Sequence, residues 1–272
     1  MMMIRAIRNL SVMGLAALLA ACAQVQTTQS GVVGVNRTQT MSTLVSEAEL
    51  NQQAEVEYRQ ILAQARAKGA LDTPAAQTQR VQAISRKLIA QVGVFRPDAR
   101  NWAWEIHLLK SDEVNAWCMP GGKIAVYTGL LDKIQPTDAE LAAVLGHEIS
   151  HALREHAREQ VSRQMAANVG LSILSAVTGN QAVADLGSSL TQVMFTLPNS
   201  RSNETEADRM GVELAARAGY DPRAAITLWQ KMERSGGGGQ PEILSTHPSS
   251  QSRIADLQQA SGIVLPLYQG KK

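Results

Sequence analysis

Cysteine is scarce in this chain of 272 residues, with only Cys22 and Cys118 present. A fold framed by disulfides is thereby excluded, and the core has to supply the stability. Charge of one sign is also missing: 26 Lys and Arg stand against 24 Asp and Glu, a formal net charge of +2. That balance argues against nucleic acid as a partner. Nor is there an apolar run of the roughly 20 residues that a membrane-spanning helix needs. Leu10 to Ala21, Met165 to Val177 and Ala182 to Phe195 all stop short of it.

What is present is a segment reading Leu141-Ala142-Ala143-Val144-Leu145-Gly146-His147-Glu148-Ile149-Ser150-His151-Ala152-Leu153-Arg154. Two histidines four apart on a helix share one face and differ by about 6 Å in rise, so both rings can converge on one tetrahedral cation, zinc by default. Glu148 lies beside that face but is badly placed to join the same ion. It suits a general base, taking a proton from a water in the site. Leu141, Val144, Leu145, Ile149 and Ala152 spread around the helix, which should therefore be buried, and an unpartnered Glu148 would be costly there without an ion and water.

Zinc held by two histidines needs a third protein ligand and an open position. Glu155 falls about 12 Å along the helix axis from His147, too far to share the ion. His156 points about 180° away from His147 on a continuous helix and is assigned a structural or solvated role. A better candidate follows Pro198, where Asn199 or Ser200 opens a helix that carries Glu204 and Asp208 four apart on one face. Glu204 would bind the metal and Asp208 would hydrogen-bond a ring nitrogen of a ligating histidine.

The combination of His147-Glu148-x-x-His151 with Glu204-x-x-x-Asp208, set in Ser-Arg-x-x-Glu-x-x-Ala-Asp, resembles a family of zinc metallopeptidases. The family includes HtpX, the CAAX prenyl proteases and the periplasmic lipoprotein peptidases of Gram-negative bacteria. Asn115-Ala116-Trp117-Cys118-Met119-Pro120-Gly121-Gly122 and Thr246-His247-Pro248-Ser249 match the same pattern, and the resemblance runs from about Glu55 to Leu257. It implies an α+β, mainly α fold, a helical peptidase domain with a small sheet beside the active helix, and one Zn2+ per chain. It also implies that Asn115 and Ala116 offer a sheet edge on which an extended peptide can add as a strand. His247 would lie near the metal and join Glu148 in the catalytic set, either donating to the oxyanion or occupying the open zinc position until it moves.

The rest of the chain fits round this centre. Arg5 and Arg8 followed by Leu10 to Ala21 form a secretory signal over residues 1–21. Its end, Leu19-Ala20-Ala21-Cys22, resembles a bacterial lipobox, which implies a lipidated Cys22 at the mature N-terminus and leaves Cys118 without a disulfide partner. Ala23 stands where an aspartate would retain a lipoprotein at the inner membrane. The outer membrane, periplasmic face, is therefore the implied site, with membrane contact through the lipid. Removal of residues 1–21, with two arginines and no acid, leaves 251 residues of zero net charge.

Residues 22–46, rich in Gln, Thr, Ser, Gly and Val, read as a flexible tether, and residues 47–272 as the peptidase domain, long enough for an extra helical layer. Glu47–Lys68 and Thr73–Val92 read as two helices packed as a hairpin over the core. Strands are expected over Trp102–Lys110, with His107 on the more polar face, and over Val114–Cys118 and Lys123–Thr128. Thr137 and Glu140 form a capping box at the start of the active helix. Met165–Val177 and Ala182–Phe195 suggest a movable lid, Gly236–Gly239 a flexible break and Ser249 a helix cap.

Family and location imply polypeptide substrates, misfolded or misassembled envelope proteins, and contact with the outer-membrane assembly machinery. The alternative is a chaperone-like or binding lipoprotein of envelope assembly with a latent metal site.

Overall fold

The computed structural model describes residues 22–178, 190–235, 241–248 and 250–270. Along the chain these are β1 (Cys22–Val25), β2 (Gln39–Ser42), α1 (Glu47–Ala67), α2 (Ala75–Ile89), β3 (Glu105–Leu109), β4 (Ala116–Met119), β5 (Lys123–Tyr127) and α3 (Thr128–Ile134). Then follow α4 (Asp138–Leu153), α5 (His156–Thr178), α6 (Leu190–Phe195), α7 (Arg201–Arg217), α8 (Ala224–Arg234), α9 (Ile243–Thr246) and α10 (Gln251–Gln269). The fold is mainly helical with small sheets, as expected. Among the described residues no helix is long and apolar enough to cross a membrane.

The three-stranded sheet has the order β3-β5-β4, with β3 parallel and β4 antiparallel to β5, so β4 is an edge. Successive side chains of a strand face opposite sides. Accordingly Ile124 and Val126 of β5, with Cys118 of β4, enter the main core with Val81, Ile84 and Leu88 of α2. Ala125, Trp117 and Met119 point the other way, into a smaller core with Leu50, Ala54, Tyr58 and Leu62 of α1. The expected α1–α2 hairpin is thus wrong. The two helices cover opposite faces of the sheet because each has its own apolar stripe and the strands present two apolar faces.

Strand β3 is also shorter than alternation suggested. Trp102 and Trp104 stack on each other with centroids 5.4 Å apart, and Trp104 Nε1 donates to the Ala99 carbonyl at 2.8 Å. These contacts hold the aromatic pair outside the ladder.

The segment read as a flexible tether is packed instead. β1 pairs antiparallel with β2, Val33, Val35 and Met41 are buried, and Glu213 of α7 accepts from the backbone N–H groups of Val32 and Val33 at 2.9 and 3.1 Å. Its polar composition hid its partners: Gln39 Nε2 donates to the Arg154 carbonyl at 2.8 Å and to Glu159 at 2.9 Å. The signal segment, residues 182–189 of the suggested lid, the Gly236–Gly239 break and Ser249 lie outside the described residues. Ser250 caps α10, accepting from the Arg253 N–H at 3.2 Å.

Helix α4 is the centre of the molecule and packs against β4, α2, α7 and α8. Its capping box forms as expected: Thr137 accepts from the Glu140 N–H at 3.3 Å and Glu140 accepts from the Thr137 N–H at 2.8 Å. Leu141, Leu145 and Ile149 are fully enclosed. The crossing with α7 depends on two glycines. A Cβ on Gly146 would stand 2.8 Å from the Gly211 carbonyl oxygen, and one on Gly211 2.8 Å from the His147 nitrogen. With no side chain at either point the backbones touch, and α7 is drawn onto the histidine face of α4.

Candidate metal centre

The close crossing of α4 and α7 decides the geometry of the site. It brings Glu204 and Asp208, on one face of α7, against His147 and His151, on one face of α4. The short helix α9 ends at Thr246 and delivers His247 to the same point. Ligand atoms of His147, His151, Glu204 and His247 all lie within 4.8 Å of one another, and all four residues are buried.

The distances are those of atoms arranged round one small ion. His147 Nε2 is 3.1 Å from His151 Nε2 and 3.1 Å from His247 Nδ1. Glu204 lies 3.5 Å from His147 Nε2, 3.4 Å from His151 Nε2 and 3.0 Å from His247 Nδ1. Ligand atoms of a tetrahedral zinc with bonds of about 2.0–2.1 Å sit roughly 3.3 Å apart. Two histidines and a glutamate are a common catalytic zinc set. Two buried oxygens support the fit, because Glu204 Oε2 and Glu148 Oε1 have no hydrogen-bond partner among the described residues. Arg253 comes within 2.8 Å of Glu204 Oε2 without aiming an N–H at it. Such buried, unsatisfied carboxylate oxygens are costly unless an ion or water meets them.

Electrostatics sort the carboxylates by task. Burial pushes the Glu148 carboxyl above its ordinary value, with the neighbouring His247 and His147 only partly opposing. Such a carboxylate can both take and return a proton. Burial also opposes ionisation of Glu204, but His247, His151 and His147 together hold it well below the usual carboxylate range. Burial drives His151 well below the usual imidazole value, which leaves a lone pair to give to a metal. His247, though buried, is raised to about 9 by Glu148 and Glu204. Its Nε2 lies 3.5 Å from Glu148 Oε1.

Asp208 Oδ1 lies 2.9 Å from His147 Nδ1. Sequence reasoning missed what holds Asp208. Arg253 donates to both its oxygens at 2.8 Å, to the Pro248 carbonyl at 2.9 Å, and stacks over Trp229 at 4.2 Å. Trp229 in turn meets the His147 ring edge-on at 5.6 Å. No spacing rule links an arginine six residues past His247 to an aspartate on another helix.

His156 is a correction. The continuous helix assumed for it ends at Leu153, and Glu155 takes a left-handed φ of 53°, so the chain turns and His156 comes back. Its Nδ1 lies 2.8 Å from His151 Nδ1, and it is buried. Glu155, excluded as a ligand, pairs instead with Arg96 at 2.7 Å and Arg158 at 2.8 Å. His107 is half-buried against Asp72 at 2.7 Å, away from the metal cluster.

Asn115 and Ala116 line a cleft together with Glu148, His151 and His247. Trp117, Met194 and Phe195 give the same cleft an apolar side. Ala116 lies on the free edge of β4, where its N–H is met by the Asn115 side-chain oxygen at 2.9 Å.

The model of the family described as Peptidase family M48 matches residues 75–261 of the chain. The mitochondrial metalloendopeptidase OMA1 of Arabidopsis thaliana is 41% identical over 177 residues, 65% of this chain and 36% of that protein. The mitochondrial metalloendopeptidase OMA1 of Bos taurus is 41% identical over 167 residues, 57% of this chain and 32% of its own length. The beta-barrel assembly-enhancing protease of Escherichia coli K12 is 28% identical over 202 residues, 70% of this chain and 40% of that protein. The chain thus spans between about a third and two fifths of the length of these relatives.

Proposed function

The chain belongs to peptidase family M48, and from that premise we propose that it is a zinc metalloendopeptidase anchored as a lipoprotein in the envelope of a Gram-negative cell. The observation that carries the reading is the buried meeting of His147, His151 and Glu204 beside a Glu148 oxygen that has no hydrogen-bond partner among the described residues and lies 3.5 Å from His247 Nε2. A merely structural cluster would have no use for that oxygen.

Bound zinc supplies a Lewis acid for the scissile carbonyl and makes a nearby water easier to deprotonate. His147, His151 and Glu204 would hold the ion. Glu148 accepts a proton at its carboxylate and returns it to the leaving amine, and its raised affinity for protons suits both halves of the cycle. A peptide lying in extended form along β4 would be held by main-chain groups near Asn115 and Ala116, so register would depend little on side-chain identity. The apolar wall of Trp117, Met194 and Phe195 would face substrate residues buried in folded proteins, consistent with misfolded or misassembled envelope proteins as substrates.

His247 has two available roles. Its 3.1 Å approach to His147 Nε2 fits a side chain that fills the open metal position, and its proximity to Glu148 fits an oxyanion donor. His247→Ala separates them, since gained peptide cleavage means a block and lost cleavage means an oxyanion role.

The envelope placement rests on Arg5, Arg8, the apolar run and Leu19-Ala20-Ala21-Cys22, with Cys22 exposed at the start of β1. Within the family this favours the periplasmic lipoprotein branch, with outer-membrane residence and assembly-machinery contact as corollaries. Labelling cells with a fatty acid and comparing wild type with Cys22→Ala tests the anchor. The activity is tested with Glu148→Gln and casein or an unfolded envelope protein as substrate. The variant should keep zinc and lose cleavage. Unchanged cleavage would reject the enzyme, and normal behaviour of this variant in cells would favour the binding lipoprotein.

A further inference from the structure

The two histidines of α4 present their Nε2 atoms to the site, so each Nδ1 faces outward and needs a partner. His147 has Asp208. Among the described residues no carboxylate meets His151 Nδ1, which instead lies 2.8 Å from His156 Nδ1, while His156 Nε2 meets Glu206 Oε2 at 3.1 Å. Three side chains from three helices, α4, α5 and α7, thus form a line ending at a metal ligand.

We propose that His156 and Glu206 are a second outer arm of the metal centre, fixing the His151 ring with its Nε2 lone pair toward the ion, and that Arg37 of the N-terminal segment locks this arm. The inference rests on the zinc reading above. The direction of the line follows from its far end. Both Glu206 oxygens are engaged by cations: Arg37 Nε at 2.5 Å on Oε1, Arg37 at 3.1 Å on Oε2, and the fully buried Arg154 at 2.9 Å on Oε2. A carboxylate so held is ionised and only accepts. His156 Nε2 therefore carries the hydrogen that faces it.

His156 is enclosed, and its Nδ1 lies 2.8 Å from His151 Nδ1, so the two nitrogens share one hydrogen. A neutral ring protonated at Nε2 has a bare Nδ1, which can only accept. The hydrogen between the two Nδ1 atoms then belongs to His151, and a neutral His151 protonated at Nδ1 offers its Nε2 to a metal. Fixing a ligand's tautomer and orientation from behind is what outer partners of metal-bound histidines do.

Arg37 ties this line to the N-terminal segment. Besides Glu206 it bonds Glu159 of α5 at 2.7 Å and the side-chain oxygen of Asn203 on α7 at 3.0 Å, and its carbonyl accepts from Arg154 at 2.9 Å. The segment that follows Cys22 is therefore built into the support of a metal ligand. His156 and Glu206 are positioning residues, since neither reaches the ion or the substrate.

Zinc competition against a chromophoric chelator, on the full chain with residues 1–21 removed, tests the arm. His156→Phe and Glu206→Gln should each weaken zinc binding about 10- to 100-fold. Arg37→Met should weaken it less, because Arg154 still holds Glu206. Nitrogen-15 spectra of histidine in the zinc-free wild type give a readout that needs no variant to fold, and His151 should appear as the Nδ1–H tautomer. A dominant Nε2–H tautomer would overturn the proposal. Wild-type zinc affinity in both folded variants would also overturn it while leaving the peptidase reading intact. A wild type that binds no zinc sinks the peptidase reading itself, and the tautomer then still reports on the arm.

Discussion

The two ligating histidines are one helical turn apart and are supported in different ways. Behind His147 stands a carboxylate, Asp208, fixed by an arginine that stacks on Trp229. Behind His151 stands another imidazole, then a carboxylate, then two arginines, one of them from the N-terminal segment. The first support has a single carboxylate between ring and arginine, and the second adds an imidazole and takes one of its arginines from the N-terminal segment. Both supports draw on elements distant in the chain, but only the His151 side reaches the segment that precedes α1.

Removing the shared ligand should have the largest effect, since it serves both sides. Glu204→Ala leaves the two histidines of α4 and removes one of the two carboxylates facing Arg253, and zinc retention after dialysis should disappear together with peptide cleavage. Metal analysis by mass spectrometry checks it, and zinc retained at one per chain would show that Glu204 is not a ligand.

Breaking the His147 side comes next. Asp208→Ala takes from Arg253, which is 5% exposed, the carboxylate to which it donates twice and leaves Glu204 at 2.8 Å as its remaining acid. The cost should therefore reach at most the roughly 3–5 kcal/mol of a broken buried ion pair. Denaturant unfolding should register that cost even without metal. If the two supports are independent, Asp208→Ala and His156→Phe should add in a double variant. Coupling beyond about 0.5 kcal/mol would mean that the rings communicate through the site.

A smaller effect is expected at the crossing that makes both supports feasible. Gly146→Ala places a methyl 2.8 Å from the Gly211 carbonyl. Backbone cannot yield as a side-chain tip can, so α4 and α7 must part by some tenths of an ångström. Overpacking of this kind costs about 1–3 kcal/mol, and zinc affinity should fall with it because Glu204 moves with α7.

The difference between the supports also explains what could be read from residues alone. His147, Glu148, His151, Glu204 and Asp208 sit at spacings of one to four on two helices, where spacing fixes the shared face. The capping box of Thr137 and Glu140 and the extent of α1 followed from equally local rules. His156 was misplaced because a single left-handed residue, Glu155, ends the helix that extrapolation assumed to continue. Arg37, Gln39 and Arg253 were missed because their partners lie on other elements, and a run of Gln, Thr and Ser looks like linker when its partners are unseen. The opposite-face packing of α1 and α2 was hidden for the same reason, since nothing local says which side of a sheet a helix covers.

The smallest effect is one of pH, and it falls on the His151 side. Burial works against ionised Glu206, but the bonds from His156 and Arg37 prevail and bring its carboxyl down to about 2. A carboxyl held below its ordinary value near 4.5 stabilises the fold fully above that value and loses the contribution as pH falls toward 2. Glu206→Gln cannot titrate, so the melting temperature of wild type should exceed that of the variant at pH 6 and the gap should close between about pH 4.5 and 2. Glu204 and Asp208 are held low as well, yet they occur in both proteins and cancel in the difference. A gap that stays constant down to pH 2 would mean that Glu206 is held by shape rather than by charge. The arginine from the N-terminal segment would then be a bystander to the metal centre.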